Sequence, residues 1–140
     1  MMPYALYLHI PFCRQRCSYC DFNTYTTLND LQPAYVAALA AEIGQIGELA
    51  TAAGDPRPAV RTVFFGGGTP SLLTVAQVAH LLDTARAWFA LASDAEITME
   101  ANPGTVSADW LADVRALGVN RLSFGVQSAL PGELALLGRA

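Results

Sequence analysis

The segment Thr62-Val-Phe-Phe-Gly-Gly-Gly-Thr-Pro70 joins a run of β-branched and aromatic residues to a glycine-rich turn. Residues 62–65 have the composition of a short buried strand, and the glycines and proline that follow are typical of a turn that ends it. One glycine would be enough for a plain strand-to-helix turn. Three in succession indicate a backbone that approaches a ligand closely and exposes its N–H and C=O groups. A phosphate-binding P-loop is excluded, because no Gly-Lys-Ser/Thr sequence follows.

The segments on both sides of this turn alternate between strand and helix patterns. Runs of aliphatic and aromatic residues predict further strands over residues 5–10, 96–100 and 121–126. Apolar residues at helical spacing predict helices between the strands. The apolar stripes of these helices are Val36-Leu39-Ile43-Ile46, Val75-Val78-Leu82-Ala85-Phe89 and Trp110-Val114-Leu117. A last helix begins in residues 134–137. This alternation implies βαβ units around a parallel sheet. The sequence therefore predicts an α/β fold.

Residues typical of helix ends support two of these helices. Thr74 and Gln77 have the spacing of a capping box. Ser107 can cap the next helix, and Gly118 is a suitable residue to end it. We therefore expect helices that begin just after residues 74 and 107.

All three cysteines of the chain fall in residues 13–20, Cys-Arg-Gln-Arg-Cys-Ser-Tyr-Cys. A closed structural metal site needs four protein ligands, whereas three leave one coordination position for a group that is not protein. The alternatives are small buried thiols, a zinc site completed by His9, and a disulfide with one odd thiol in an oxidising compartment. Packing gives no reason for three thiols in one loop, His9 lies in an apolar run, and residues 1–12 lack a basic leader. We therefore prefer a cluster with three cysteine ligands.

Polar residues also follow the predicted third and fourth strands. Glu100 ends an apolar strand, where a carboxylate costs free energy unless it is paired. It forms either a salt bridge to an arginine or a hydrogen bond to a ligand. Gln127 has the same position after the next strand, where it is either an ordinary loop residue or an amide that binds a polar ligand. Because ligands collect at the carboxyl ends of parallel strands, both positions indicate a site at that edge of the sheet.

The composition is unusually apolar for 140 residues, with 53% hydrophobic and 14% charged residues. Soluble domains have about a quarter charged residues. Membrane association would need a span of about 20 apolar residues, and none is present, although peripheral contact stays compatible with the sequence. We therefore expect a piece of a larger protein that is poorly soluble alone. No basic stripe with interleaved aromatic residues appears, so nucleic-acid binding is not supported.

Together these motifs resemble the coproporphyrinogen oxidase-like branch of the radical S-adenosylmethionine (radical SAM) superfamily. The resemblance rests on the cysteine triplet and on four further segments, in order Leu8-His-Ile-Pro-Phe-Cys13, Phe64-Phe-Gly-Gly-Gly-Thr-Pro-Ser71, Met99-Glu-Ala-Asn-Pro-Gly104 and Arg121-Leu-Ser-Phe-Gly-Val-Gln-Ser128. It implies a parallel (β/α)6 partial TIM barrel. Residues 1–140 would form the N-terminal part of that barrel, truncated after about four strands, with the remaining barrel and a C-terminal domain absent.

The resemblance also implies the cofactors and the residues that bind them. Cys13, Cys17 and Cys20 would ligate a four-iron, four-sulfur (4Fe-4S) cluster, and the open iron would bind S-adenosylmethionine (SAM). The SAM-binding residues would be Tyr7, Tyr19, Gly67, Gly68, Thr69, Glu100, Gln127 and Arg139. Tyr7 and Tyr19 have an alternative role, since aromatic residues beside a cluster can simply exclude water.

Phe22 separates two groups within this branch. Oxygen-independent coproporphyrinogen III oxidases carry an additional cysteine two residues after the third cluster ligand, and Phe22 has that position here. The sequence Cys17-Ser-Tyr-Cys-Asp-Phe22 instead resembles HemW-type haem chaperones, which pass haem to haem-requiring proteins such as respiratory enzymes. We therefore expect a cytoplasmic haem chaperone with a haem site outside these residues.

Two alternatives remain open. The first is a coproporphyrinogen III oxidase, an enzyme of porphyrin biosynthesis that performs a radical oxidative decarboxylation. The second is a zinc-stabilised α/β binding module. Whether the protein is an enzyme is therefore undecided from the sequence.

Overall fold

Strands and helices alternate along residues 4–139, which are the residues described by the computed structural model. The elements are β1 (Tyr4–Ile10), α1 (Gln32–Ala52), β2 (Ala59–Gly67), α2 (Val75–Trp88), β3 (Ala90–Ala101), α3 (Ala108–Ala116), β4 (Arg121–Phe124) and α4 (Pro131–Leu136). The four strands form one sheet in chain order, and each neighbouring pair is parallel. This confirms the α/β fold and parallel sheet predicted from the sequence. None of the helices described is long and apolar enough to cross a membrane.

The core lies between one face of the sheet and the helices. Side chains alternate across a strand, and the buried ones on this face include Leu8, Ile10, Val63, Phe65, Ile97 and Met99. Residues between them, such as Tyr7 and Glu100, belong to the opposite face. The sheet therefore presents its polar strand positions away from the helical layer.

The structure confirms both predicted helix caps. The Thr74 hydroxyl accepts a hydrogen bond from the Gln77 N–H at 3.2 Å, and the Gln77 side chain accepts one from the Thr74 N–H at 2.8 Å. The Ser107 hydroxyl accepts a bond from the Trp110 N–H at 3.2 Å. Gly118 follows α3 with a φ of 110°, a left-handed conformation that suits glycine.

Several element boundaries differ from the prediction, including those of β2, which runs Ala59–Gly67 rather than over residues 62–65. β3 begins at Ala90 rather than at residue 96, because Ala90 pairs with Ala59 ahead of an irregularity in the ladder. β4 ends at Phe124 rather than at residue 126. α4 begins at Pro131, a proline at the start of a helix that the prediction overlooked, and ends at Leu136.

The predicted stripe on α1 is wrong at Ile46, which is 47% exposed. The buried residues of this helix are Val36, Ala40, Ile43 and Gly47. Gly47 leaves room for Trp88 of α2, which lies directly against it, so a large apolar residue would not fit at this position.

Gly47→Ala is expected to lower the free energy of unfolding by about 1–3 kcal/mol through overpacking. An added Cβ would lie 2.6 Å from a ring carbon of Trp88 and 2.7 Å from its Cβ, which cannot rotate away. The clash outweighs the advantage of alanine over glycine in a helix, about 1 kcal/mol. Urea denaturation measures the change. Gly132→Ala in α4 is the control, since its added Cβ would meet nothing within 4 Å, and equal stability of the two variants would contradict the prediction.

Candidate functional site

A cavity of about 260 Å³ lies at the carboxyl ends of the strands. Its wall combines the cysteine loop after β1, the glycine turn after β2 and the residues that follow β3 and β4. The lining residues are Cys13, Gln15, Arg16, Cys17, Tyr19, Cys20, Phe22, Thr24, Gly67, Gly68, Thr69, Glu100, Ala101, Asn102, Ser123, Phe124, Gly125, Gln127 and Arg139. The structure thus brings together all three cysteines and every predicted SAM-binding residue except Tyr7.

Backbone hydrogen bonds hold the start of the cysteine loop against the glycine turn. The Gly68 N–H donates to the Ile10 carbonyl and the Thr69 N–H donates to the Phe12 carbonyl, both at 2.8 Å. The Cys13 N–H donates to the Tyr25 carbonyl at 3.0 Å, which closes the loop on itself. Cys13 is therefore buried and fixed, whereas Cys17 and Cys20 are half-buried.

The other side of the cysteine loop contacts the end of α4. The Ser18 hydroxyl donates to the Leu136 carbonyl at 3.0 Å, and the Gln15 side chain donates to the Gly138 carbonyl at 2.8 Å. These contacts join residues that are 118 and 123 positions apart in the chain. As a result, the segment after α4 forms part of the cavity wall.

Arg139 connects three parts of this wall. Its guanidinium donates to the Asn102 side-chain oxygen at 2.8 Å, to the Gly125 carbonyl at 3.0 Å and to the Tyr19 hydroxyl at 2.9 Å. Burial alone lowers the pKa of Arg139, but the hydrogen bond to Tyr19 and the electrostatic interaction with Cys17 act against it, and the net pKa is raised. Arg139 is therefore a fixed positive charge beside the cysteine loop.

Glu100 binds the glycine turn rather than an arginine. Its Oε2 accepts a hydrogen bond from the Gly67 N–H at 3.1 Å, and Gly67 has a φ of 112°, which favours glycine. In residues 4–139, the acidic partners of the ion pairs are Asp83, Asp94 and Glu96. The salt-bridge interpretation of Glu100 is therefore not supported.

Tyr7 and Gln127 have distinct positions. Tyr7 lies outside the cavity lining, stacks on Phe64 with ring centroids 6.0 Å apart and is 58% exposed. Its pKa is raised, by burial first and then by the charge of Glu100. Gln127 lines the cavity with a left-handed φ of 66°, unusual for a residue with a side chain. A SAM-binding role for Tyr7 stays a prediction.

The geometry around His9 disfavours a zinc site. Its Nε2 lies 3.0 Å from the Asn23 carbonyl and its Nδ1 lies 3.1 Å from the Tyr7 hydroxyl, so both ring nitrogens have partners. Within the part of the chain that the structure describes, no three His, Cys, Asp or Glu residues converge tightly enough to hold one metal ion. A four-iron cluster has a different requirement from a site for one metal ion, because each thiolate binds a separate iron and the three sulfurs need not meet at one point.

The residues present fit an iron–sulfur cluster together with a polar ligand. Three thiols line one cavity, and an added Cβ at Gly68 would lie only 3.0 Å from the Cys13 sulfur. Two further lining residues, Thr24 and Arg139, each have a buried polar atom without a hydrogen-bond partner, Oγ1 and Nε respectively. Buried polar atoms normally find partners, so these two suit a cavity that receives a polar group.

Sequence reasoning missed several lining residues. Asn102 follows Glu100 at the same strand end, and the strand-end argument could have identified it. Gly125 follows β4 in the same way, and an added Cβ there would lie 2.9 Å from the Asn102 side-chain oxygen. Thr24 had no signal in the sequence, because its place in the cavity wall depends on the pairing of the next residue, Tyr25, with Phe12.

Comparison with known proteins matches nearly the whole chain to one family. Residues 7–139 match the model of the Radical SAM superfamily. The chain is 49% identical over 137 residues to the heme chaperone HemW of Escherichia coli, covering 98% of this chain and 35% of that protein. It is also 49% identical over 138 residues to HemW of Mycobacterium tuberculosis, with coverages of 98% and 35%.

A solved structure supports the same match. Coproporphyrinogen III oxidase (HemN) from Escherichia coli, described as a radical SAM enzyme, superposes with a TM-score of 0.87 at 36% identity. The match covers 99% of this chain and 31% of HemN. The chain thus spans about a third of the length of these relatives.

Proposed function

The chain belongs to the radical SAM superfamily, and from this premise we propose that the protein is a haem chaperone of the HemW type. Membership in the superfamily implies an iron–sulfur cluster and SAM. Similarity to HemW and HemN implies an interaction with haem or a porphyrin. The structural observation that carries the chaperone proposal within this group is Phe22, which lines the cavity beside the three cysteines.

Phe22 has the position at which, by the sequence resemblance, coproporphyrinogen III oxidases carry a further cysteine. Phe22 lines the cavity and is 65% exposed. The cavity therefore lacks a thiol at this position and offers an apolar surface instead. This supports haem delivery over porphyrin oxidation, and the 49% identity to two HemW proteins supports it as well.

The residues of the cavity have separate proposed roles in holding the cofactors. The thiolates of Cys13, Cys17 and Cys20 would bind three irons of a 4Fe-4S cluster, and SAM would complete the fourth. When bound, the cluster would supply the electron for reductive cleavage of SAM. Glu100 orients the glycine turn through the Gly67 N–H, and Arg139 keeps a positive charge beside the loop. Gly68, Thr69, Tyr19 and Gln127 complete the wall against which SAM would lie.

The alternative function is that of an oxygen-independent coproporphyrinogen III oxidase. The observation in its favour is the close superposition on HemN, with a TM-score of 0.87. Haem-accepting proteins such as respiratory enzymes remain predicted partners of the chaperone. The cytoplasmic location and the haem site outside these residues also stay predictions.

One experiment separates the two functions. The full-length gene product, reconstituted anaerobically with iron and sulfide, is titrated with haem and then incubated with SAM, reductant and coproporphyrinogen III. We expect stoichiometric haem binding without protoporphyrinogen formation. A known coproporphyrinogen III oxidase serves as the positive control for turnover.

The opposite results are equally informative. Turnover comparable with that of the positive control would reject the chaperone function and establish the oxidase. Metal analysis of the same protein, purified anaerobically and taken before reconstitution, tests the zinc-stabilised module, because zinc without acid-labile sulfide would reject both cluster-based functions.

A further inference from the structure

A chain of side-chain hydrogen bonds runs from Arg139 to Cys13 through the cavity wall. Arg139 donates to the Oδ1 of Asn102 at 2.8 Å, and the Nδ2 of Asn102 donates to the Thr69 hydroxyl oxygen at 3.1 Å. The Thr69 hydroxyl lies 3.5 Å from the Cys13 sulfur, within the range of a hydrogen bond to sulfur. Four residues from four separate segments are thus joined in one network.

The direction of each bond in this network is determined by chemistry. A guanidinium has only donors, so the Asn102 oxygen must face Arg139 and its NH2 group must face Thr69. The Thr69 oxygen therefore accepts a bond from Asn102. The hydroxyl has a single proton, and that proton is then directed to the Cys13 sulfur.

Thr69 is held in a position where its hydroxyl has almost no access to water and therefore no hydrogen-bond partner in solvent. Thr69 is 3% exposed, and its N–H is held by the Phe12 carbonyl at 2.8 Å. Cys13 is also buried, with 8% of its surface exposed. The donor and the sulfur therefore lie in a region of low dielectric, where a hydrogen bond is electrostatically stronger than in water.

We propose that Thr69, oriented by Asn102 and Arg139, donates a hydrogen bond to the Cys13 sulfur and thereby raises the reduction potential of the cluster bound by that cysteine. The inference rests on the proposed function, which makes Cys13 a cluster ligand. A hydrogen bond to a ligating sulfur stabilises the more negative, reduced cluster, and such bonds are among the factors that set cluster potentials. Thr69 and Asn102 are positioning residues in this role, since they act through Cys13.

Thr69→Val removes the hydroxyl and preserves the shape of the side chain. In the reconstituted full-length protein, we expect wild-type iron and sulfide content and a more negative midpoint potential. At a fixed ambient potential, the ratio of reduced to oxidised cluster should fall by about tenfold, which is ~59 mV for a one-electron couple. Thr69→Ser keeps the hydroxyl and should restore the wild-type value. Redox titration followed by electron paramagnetic resonance measures both variants.

Asn102→Asp tests the orientation of the Thr69 proton. Its carboxylate still accepts from Arg139 but cannot donate to Thr69, and it attracts the hydroxyl proton away from Cys13. The potential should become more negative, and this effect should be smaller in the Thr69→Val background, where no hydroxyl remains to be redirected. Equal effects of Asn102→Asp in both backgrounds would overturn the proposed orientation.

Ser71→Ala is the matched control for losing a buried hydroxyl from the same turn. The Ser71 hydroxyl lies 2.6 Å from the Thr105 hydroxyl instead of a cysteine, so the potential should stay at its wild-type value.

An unchanged potential in Thr69→Val with a full cluster would overturn this inference and leave the proposed function intact. Absence of iron and sulfide from the wild type would instead reject the proposed cluster. If Thr69→Val fails to assemble a cluster, the midpoint potential of Asn102→Asp is compared with that of the wild type. An unchanged potential in Asn102→Asp overturns the inference.

Discussion

Replacing Cys17 with alanine is expected to abolish assembly of the iron–sulfur cluster in the full-length protein. Two remaining thiolates leave two of the four irons without protein ligands, and even the loss of a residue that only supports a metal ligand costs about 10–100-fold in affinity. We therefore expect a fall in bound iron and sulfide of at least about 100-fold at limiting iron. Visible absorption and acid-labile sulfide measure the loss after anaerobic reconstitution.

The neighbouring residue provides the control for this substitution. Ser18 lies in the same loop, and its hydroxyl donates to the Leu136 carbonyl at 3.0 Å rather than facing the thiols. Ser18→Ala should lower stability by about 1 kcal/mol, the usual value of one hydrogen bond, and should retain the cluster. A wild-type spectrum in Cys17→Ala would show that Cys17 is not a ligand.

The fold could be predicted from the sequence because its signals are local. The Thr74 capping box and the apolar run before Gly66 each predicted an element within a few residues of its observed position. The errors arose where distant residues decide the structure. β3 extends back to Ala90 only because Ala59 pairs with it, and Gly47 is a buried position of α1 because Trp88 of α2 lies directly against it.

The candidate site was predictable only at the ends of the strands. Glu100 and the glycine turn follow β3 and β2 directly, so the topology of a parallel sheet places them at one edge. Asn102 could be recognised as part of a network only through Arg139, which lies 37 positions away in the chain. Arg139 itself was identified by the resemblance alone. Residue composition at strand ends therefore predicts which residues meet, but it does not predict which hydrogen bonds they form.

Gly68 lies where the turn after β2 touches the cysteine loop, and Gly68→Ala is expected to disrupt both. An added Cβ would lie 2.7 Å from the Phe12 carbonyl oxygen and 2.9 Å from the Pro11 carbonyl carbon. Both are backbone atoms that cannot rotate away, so the turn and the loop must separate. That separation would break the bond from the Gly68 N–H to the Ile10 carbonyl, now 2.8 Å long.

Because this contact positions Cys13, Gly68→Ala should weaken both cluster retention and SAM binding by about 10–100-fold, and stability should fall by about 3 kcal/mol. Calorimetric titration with SAM and denaturant unfolding measure the two effects. Gly104→Ala is the matched control, since Gly104 has a left-handed φ of 78° but an added Cβ would meet nothing within 4 Å. It should cost about 1–2 kcal/mol of backbone strain and leave SAM binding unchanged. Equal SAM affinity in Gly68→Ala and the wild type would mean that the close approach of turn and loop does not shape the site.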